Sequence, residues 1–245
     1  MSGSSNTLAV GNNNTVEELT NSVVCGNHNT VQYTDNSIVC GEENSHQARG
    51  CLVSGISNVT YEESAYLIVG GTGNEIETGG NTLLTGENNY AVYAHDSLVA
   101  GIGQTITGSL INSVIVGDRN EVNDENVSND VIGGTNNTVN HSNCVVSGTG
   151  NTTTRNNQVI VGEYAAPAEN TLFAIGGGTA SSPRNAMVVN SDGSTTIRGT
   201  CSVQQGLHLN QNITLYNATS KISFNDAGVS LDGAKLKKLL ALIGE

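Results

Sequence analysis

The chain has 245 residues, of which 30 are Gly, two are Pro and none is Trp, and aromatic residues make up only 4%. A helical core of this length would need more large rings and Leu-rich segments, so the composition favours short strands separated by tight turns. The formal charge is −13 with nine basic residues, which excludes the electrostatic footprint of a protein that binds nucleic acid or inserts into an anionic membrane.

One short pattern recurs along most of the chain. The segment NSVVCGNHNTV at 21–31 returns in related form at residues 36, 96, 112 and 129. Its Gly marks the repeats at intervals of 14 to 17 residues, namely Gly11, Gly26, Gly41, Gly55, Gly70, Gly86, Gly101, Gly117, Gly134, Gly148, Gly162 and Gly176. Because a fixed period of this kind is the signature of a solenoid, the sequence predicts an all-β, parallel β-roll of about twelve coils.

Two apolar positions precede each marker Gly. Adjacent strand residues point to opposite faces, so both faces of this strand are predicted to be apolar. The clearest examples are Val24, Val39 and Ile115, two residues before Gly, and Val23, Ile38 and Val114, three residues before it. One row can fill the interior of the coil, whereas the other would leave an apolar stripe larger than a soluble monomer exposes. We therefore expect a homotrimer in which each chain covers its neighbour's stripe, although a dimer also fits the pattern.

A polar row follows three residues after the Gly. Its members are Asn14, Asn29, Asn44, Asn58, Asn89, Gln104, Asn120, Asn137 and Asn151. Asn tolerates turn conformations, and stacked copies can form side-chain hydrogen-bond ladders. The sequence therefore predicts a corner of the coil where these amides stack.

The period ends after Gly176, which divides the chain into three predicted parts. Residues 1–178 form the β-roll shaft or head, residues 179–230 a strand-rich neck, and residues 231–245 a short helix. Asp232 is a suitable helix cap. The helix has an apolar face for oligomerisation or docking that consists of Leu236, Leu239, Leu240 and Ile243.

The repeat unit NSxxxGxxN over residues 5–178 resembles the head domains of trimeric autotransporter adhesins. That resemblance implies a left-handed parallel β-roll in which three chains pack along a common axis. The segments NAMVVNSDGSTTIRG and ISFNDAGVSLDGAKLKKLL resemble the ends of bacteriophage and prophage tail-fibre or minor structural proteins. The N-terminus lacks the pattern of a secretion signal, so we expect a virion fibre or spike made in the host cytoplasm, with the bacterial cell surface as the alternative location.

The expected function is non-catalytic adhesion of a phage, or a phage-derived particle, to a bacterial surface glycan or protein. Other partners would be virion, tail or baseplate proteins. Tyr61, Tyr66, Tyr90 and Tyr93 lie in stretches read as long loops and are candidate receptor or glycan contacts. The alternative for these rings is that they cover the ends of the roll's own core. Alternative functions are a structural virion decoration or spacer, and the head of a bacterial trimeric surface adhesin.

Catalytic, metal and cofactor sites are not expected. Glycoside hydrolysis needs two carboxylates across a groove, whereas doublets such as Glu42-Glu43 and Glu62-Glu63 are sequence neighbours that splay apart. The five His and five Cys show no metal-ligand spacing. Cys25 and Cys40 occupy equivalent repeat positions within reach of a disulfide, but we expect them to be free, half-buried thiols.

Overall fold

The structure, a computed structural model, describes residues 3–125 and 127–202. Within these ranges the chain is all β, with 24 strands in two sheets and no helix. From β1 to β16 consecutive strands alternate between the sheets, and each pairs in parallel with its equivalent in the next coil. The repeat therefore folds as a β-solenoid of about eleven turns.

The first sheet contains the strands that carry the marker glycines. Its twelve parallel strands are β1 (Leu8–Asn12), β3 (Val23–Asn27), β5 (Ile38–Glu42), β7 (Leu52–Ile56), β9 (Ile68–Thr72), β11 (Leu83–Glu87), β13 (Leu98–Ile102), β15 (Val114–Asp118), β18 (Val131–Thr135), β20 (Val145–Thr149), β21 (Val159–Glu163) and β22 (Thr171–Gly177). Two antiparallel strands, β23 (Asn185–Asn190) and β24 (Thr195–Ile197), then close this sheet. Because β23 reverses direction beside β22, coil stacking in this sheet ends there.

The second sheet contains the strands that follow the asparagine corner. Its members are β2 (Thr15–Glu17), β4 (Thr30–Gln32), β6 (Ser45–His46), β8 (Val59–Thr60), β10 (Glu75–Gly80), β12 (Tyr90–His95), β14 (Thr105–Ile111), β16 (Glu121–Val122) and β19 (Thr138–Val139), with β17 (Val127–Ser128) paired to β14. Three of these, β10, β12 and β14, are longer than the others and continue around the next corner.

The register corrects one repeat of the sequence analysis. Gly55 pairs with Gly71, and Gly71 with Gly86, so Gly71 and not Gly70 occupies the marker position in the fifth coil. Ile68 therefore points outward and is 50% exposed, whereas Leu67 is buried. The same correction adds Asn74 to the polar row.

The asparagine row forms the predicted ladder, and its side chains are almost all fully buried. In a typical rung, Asn44 Nδ2 donates to the carbonyl oxygen of Gly55 in the next coil at 2.9 Å, and Asn44 Oδ1 accepts from the backbone N–H of Asn58 at 3.1 Å. These bonds recur from Asn14 to Asn151. At the end of the row, the backbone N–H of Ala165 donates to Asn151 Oδ1. The ladder thus satisfies backbone groups at a corner where no strand pairing can do so.

A second buried ladder, which the sequence analysis did not predict, runs four residues before the marker Gly. Its buried members are Ser22, Ser37, Cys51, Thr82, Ser97, Ser113, Asp130 and Cys144, with the half-buried Thr7 in the first coil. The apolar Leu67 interrupts the row in the fifth coil. Ser97 shows the pattern, because its Oγ donates to the carbonyl oxygen of His95 at 2.7 Å and accepts from the backbone N–H of Ser113 at 3.2 Å. This hydroxyl ladder explains the small polar residue that recurs in the repeat.

The marker glycines are required by backbone approach. Gly101 has a φ of +123°, and a Cβ built on it would lie 1.9 Å from the carbonyl oxygen of Gly117 in the next coil. Only a residue without Cβ fits both this conformation and this contact.

The cysteine prediction was wrong. Cys25 and Cys40 are paired residues of β3 and β5 with Cα atoms 4.6 Å apart, and they form a disulfide. Parallel in-register stacking places equivalent residues at a Cα separation within the disulfide range. Cys51 and Cys144 are free and buried.

Several sequence predictions fall on residues that the structure does not describe. Most of the neck (179–230) and the whole helix (231–245) lie outside the described residues, and so do the four apolar residues assigned to that helix, namely Leu236, Leu239, Leu240 and Ile243.

Candidate functional site

The outer face of the second sheet carries an aromatic and acidic cluster at its centre. Strand β10 alternates Glu75, Ile76 and Glu77, so the Ile side chain fills the interior while both carboxylates point outward. Tyr90 pairs with Glu75 across the strands, and Tyr61 follows β8 in the preceding coil. Two carboxylates and two phenol rings therefore meet on one face of three adjacent coils.

Each phenol donates a hydrogen bond to a carboxylate of β10. Tyr61 Oη lies 2.8 Å from Glu75 Oε1, and Tyr90 Oη lies 2.5 Å from Glu77 Oε1. Because these bonds favour the neutral phenol, they raise the pKa of Tyr61 and raise the pKa of Tyr90 to about 12. The bonds hold the rings in place and leave the second oxygen of each carboxylate available to accept a donor.

A concave surface of about 480 Å³ adjoins this cluster, and we call it the tyrosine–glutamate cleft. It is lined by Tyr33, Gln47, Tyr61, Glu62, Glu63, Glu77 and Thr78. Aromatic faces supply contact area, and carboxylates and amides supply acceptors. Since none of these lining side chains is basic, the cleft suits a ligand that donates hydrogen bonds, such as a polyhydroxylated or amino-bearing surface polymer.

The structure separates the four predicted tyrosines. Tyr61 lines the cleft and Tyr90 lies beside it in the tyrosine–glutamate cluster. Tyr93 instead borders a second depression of about 410 Å³ and makes a tilted ring contact with His95, with ring centroids 4.4 Å apart. Tyr66 is 69% exposed on a corner that leads into the first sheet. The assignment of residues 90–95 to a loop was wrong, because they form strand β12.

Tyr33, Glu75 and Glu77 are site residues that sequence reasoning missed. Tyr33 has a φ of 55°, which turns the chain at a corner and brings its ring to the cleft. The alternation of Glu75, Ile76 and Glu77 after the ladder residue Asn74 is a strand signal that identifies both outward carboxylates. With Gly70 as the marker, Asn74 falls outside the polar row, so the sequence count does not place this strand.

The apolar rows of the first sheet face opposite ways, as the sequence predicts. Val24, Val39 and Ile115 are fully buried in the interior. In the other row, Ile38 is 46% exposed, and Val23 and Val114 are half-buried.

The outward row forms a continuous strip, which we call the apolar stripe. It consists of Leu8, Val23, Ile38, Leu52, Ile68, Leu83, Leu98, Val114, Val131, Val145, Val159 and Phe173. The outward residues one place before Gly, which include Ser54, Ala100 and Val116, are uncharged throughout. These two rows therefore give the first sheet an uncharged, largely apolar strip along its length.

Besides the two free cysteines, the solenoid interior contains a histidine and an aspartate. His46 occupies an interior position of the second sheet, where Nδ1 lies 2.6 Å from Thr60 Oγ1, and burial lowers its pKa to about 4. Asp130 replaces a hydroxyl in the second ladder, where Oδ1 accepts from the Cys144 N–H at 2.6 Å and Oδ2 has no partner in the described chain. Burial raises the pKa of the Asp130 carboxyl to about 6. Both groups sit in the core and do not line the cleft.

No group of three or more His, Cys, Asp or Glu among the described residues could hold a metal ion. None of the described segments is a helix with the length and apolarity needed to cross a membrane.

No protein-family model matches the chain, and no curated protein matches its sequence. The surfaces described above are therefore the basis for a proposed function.

Proposed function

We propose that the chain is a non-catalytic adhesion protein of the phage tail-fibre or spike type. It binds a bacterial surface glycan or protein through the tyrosine–glutamate cleft. The observation that carries this proposal is the cleft itself, where Tyr61 and Glu77 converge on a concavity of about 480 Å³. The strands beneath it are held by the buried asparagine ladder, so the side chains are presented with little loss of entropy on binding.

The assembly that fits this function is a homotrimer of left-handed solenoids with the apolar stripes facing a common axis. Eleven coil spacings of about 4.8 Å and a five-residue strand of about 16 Å give each face about 850 Å². Specific interfaces bury about 800 Å² from each partner. A copy of the same chain supplies an equally long face with the same two uncharged rows, so a second copy is the best partner for the stripe.

In this proposal the two sheets have separate tasks. The first sheet joins the chains, and the second sheet turns outward and meets the receptor. Other virion, tail or baseplate proteins would hold the particle end. The absence of charge along the stripe rows and the three glutamates of the cleft support this division, because a desolvated seam disfavours charge and a receptor site tolerates it.

The test is a screen of bacterial surface glycans and whole cells with wild type, Tyr61→Ala and Tyr93→Ala. We expect a bound glycan or cell type, and we expect Tyr61→Ala to weaken that binding about tenfold or more, because it removes a central aromatic contact. Equal urea midpoints for the variants would show that folding is intact. Loss of binding in Tyr93→Ala alone would place the receptor in the depression beside His95 and overturn the cleft assignment.

A structural spacer is the second candidate function, and one observation favours it. The hydroxyls of Tyr61 and Tyr90 are already satisfied by Glu75 and Glu77, so the cluster is stable without a ligand. A trimer that binds no glycan, cell or surface protein in the screen would support the spacer. The head of a bacterial surface adhesin would instead be supported by an anchor domain encoded in the same reading frame.

A further inference from the structure

Tyr66 occupies a corner position where the neighbouring coils carry a different kind of residue. Five residues before the marker Gly, the chain turns through a positive φ in every coil from the first to the eleventh. The residues there are Asn6, Asn21, Asn36, Gly50, Tyr66, Asn81, Asp96, Asn112, Asn129, Asn143 and Asn157. Asn, Asp and Gly adopt this left-handed conformation readily, whereas a bulky aromatic residue is an outlier there.

The fold accommodates the Tyr66 ring because the equivalent residue of the preceding coil is a glycine. Tyr66 has a φ of 59°, and its ring lies over Gly50, where a Cβ would come within 2.9 Å of Tyr66 Cδ1. Elsewhere in the row the asparagines bond to one another between coils, as in the 3.1 Å contact from Asn6 Nδ2 to Asn21 Oδ1. At Tyr66 this side-chain hydrogen bond between coils is missing, and the backbone is locally strained. Such strain concentrates at functional positions.

The Tyr66 side chain is largely exposed, and its hydroxyl is unpaired within the described chain. Tyr66 is 69% exposed, the highest value among the exposed large hydrophobic residues of the described chain. Its hydroxyl has no hydrogen-bond partner within the described residues, unlike those of Tyr61 and Tyr90 in the tyrosine–glutamate cluster.

The corner row and the apolar stripe form one continuous surface. In the coils that follow, Asn81 and Asp96 line a shallow depression of about 600 Å³ together with the stripe residues Leu83 and Leu98. Tyr66 holds the same corner position two residues before Ile68, which is 50% exposed in the stripe, and Ile68 pairs with Leu52, which is 42% exposed. The ring therefore stands at the edge of the stripe and not at the cleft.

We propose that Tyr66 is an inter-chain anchor that packs on a second copy of this chain and fixes the axial register of the assembled solenoids. This inference rests on the trimer proposed above. The stripe alone is nearly the same in every coil, so chains that slide by one coil keep most of their apolar contact. A single large ring on an otherwise Asn and Gly corner breaks that degeneracy, because it has one matching position on the neighbour. Exposed aromatic rings that become buried on association are the residues that contribute most to interfaces.

The test measures the dissociation constant of the full chain by sedimentation equilibrium for wild type, Tyr66→Asn and Tyr33→Asn. Most other coils have Asn at the corner position equivalent to Tyr66, where φ is positive. The Asn variant should therefore keep the monomer fold. Tyr33 is the matched control, since it also has a positive φ (55°) and is 48% exposed, but it lies beside the second sheet. We expect Tyr66→Asn to raise the dissociation constant about tenfold or more and Tyr33→Asn to leave it unchanged.

The possible failures are distinguishable. If wild type assembles and Tyr66→Asn assembles equally well, the anchor role is wrong and the trimer stands. If wild type is a monomer at all concentrations, both the trimer proposal and the anchor role of Tyr66 are wrong. If Tyr66→Asn keeps the assembly but loses bacterial binding, Tyr66 is a receptor contact. Tyr66→Gly, which copies the residue at position 50, repeats the measurement should the Asn variant fold poorly.

Discussion

Replacing Asn89 by Ala tests whether the asparagine ladder stabilises the solenoid. Asn89 Nδ2 donates to the carbonyl oxygen of Gly101 at 3.0 Å, and its Oδ1 accepts from the backbone N–H of Gln104 at 2.9 Å. Alanine removes both partners and leaves two backbone groups in the interior without them. At about 1–3 kcal/mol for each orphaned buried group, the free energy of unfolding should fall by about 2–6 kcal/mol, a large part of the roughly 5–15 kcal/mol available to a domain.

The assay is urea unfolding followed by far-UV circular dichroism, with Asn88→Gly as the control. Asn88 is the sequence neighbour of Asn89, but it is exposed and has a φ of 53°, which Gly adopts freely. We expect the control to cost less than about 1 kcal/mol. If Asn89→Ala and Asn88→Gly lower stability by the same small amount, the ladder does not stabilise the fold as argued.

Four further predictions concern other positions of the coil. Gly101→Ala should prevent coil stacking, because its Cβ would lie 1.9 Å from the carbonyl oxygen of Gly117; loss of the β-type circular dichroism signal at 25 °C would show this. Asp130→Ser should raise the free energy of unfolding at pH 7 by up to about 3 kcal/mol, since the folded pKa of about 6 lies above the ordinary value of 3.8 and the buried carboxylate destabilises the fold above pH 6. His46 should make the fold acid-sensitive, because its folded pKa of about 4 lies below the ordinary 6.5; its stabilising contribution is fully present above pH 6.5, and up to about 3 kcal/mol of it is lost as the pH falls to 4. Ile38→Asp should abolish assembly while the monomer stays folded, because Ile38 is 46% exposed on the stripe; native mass and circular dichroism together would report it.

Matched variants make these predictions falsifiable. Gly133→Ala should be tolerated, since a Cβ there lies 3.9 Å from the nearest heavy atom, and a collapse of that variant would undermine the steric argument. His46→Val should flatten the stability profile between pH 6.5 and 4, and an unchanged profile would assign the acid sensitivity to another group. Asp130 should give the wild type a gain in stability as the pH falls from 6 to 4, which is opposite to the effect of His46, and Asp130→Ser should remove that gain. A variant that is less stable than wild type at pH 7 would contradict the buried-carboxylate account. Val39→Asp should unfold the chain, because Val39 is fully buried; if it behaves like Ile38→Asp, the two-faced strand is wrongly assigned.

The repeat made most of the solenoid predictable. Each copy places the same residue type at the same corner, so the amide row, the interior row and the stripe could all be read by counting from one Gly. The count failed at the Gly70–Gly71 pair, because either glycine completes a recognisable repeat. A one-residue slip exchanges the two faces of a strand, and it therefore misplaced Leu67 and Ile68 together.

Features that depend on contacts between coils were harder to predict. The disulfide follows from strict register of β3 and β5, which a sequence count only approximates. The pairing of Tyr61 with Glu75 and of Tyr90 with Glu77 joins diagonal neighbours on adjacent coils, and no local pattern specifies a diagonal. The hydroxyl ladder corresponds to a recurring small residue in the sequence. Its role depends on contacts between coils, because Ser, Cys and Asp side chains of the row accept from backbone N–H groups of the next coil.

The most direct test of the account is the native mass of the intact chain by light scattering. Three solenoids with their apolar stripes on a common axis predict a mass near 76 kDa, three times the 25.3 kDa of one chain. A monodisperse species of 25.3 kDa would mean that the stripe stays uncovered by other copies, and it would contradict both the trimer and the division of tasks between the two sheets.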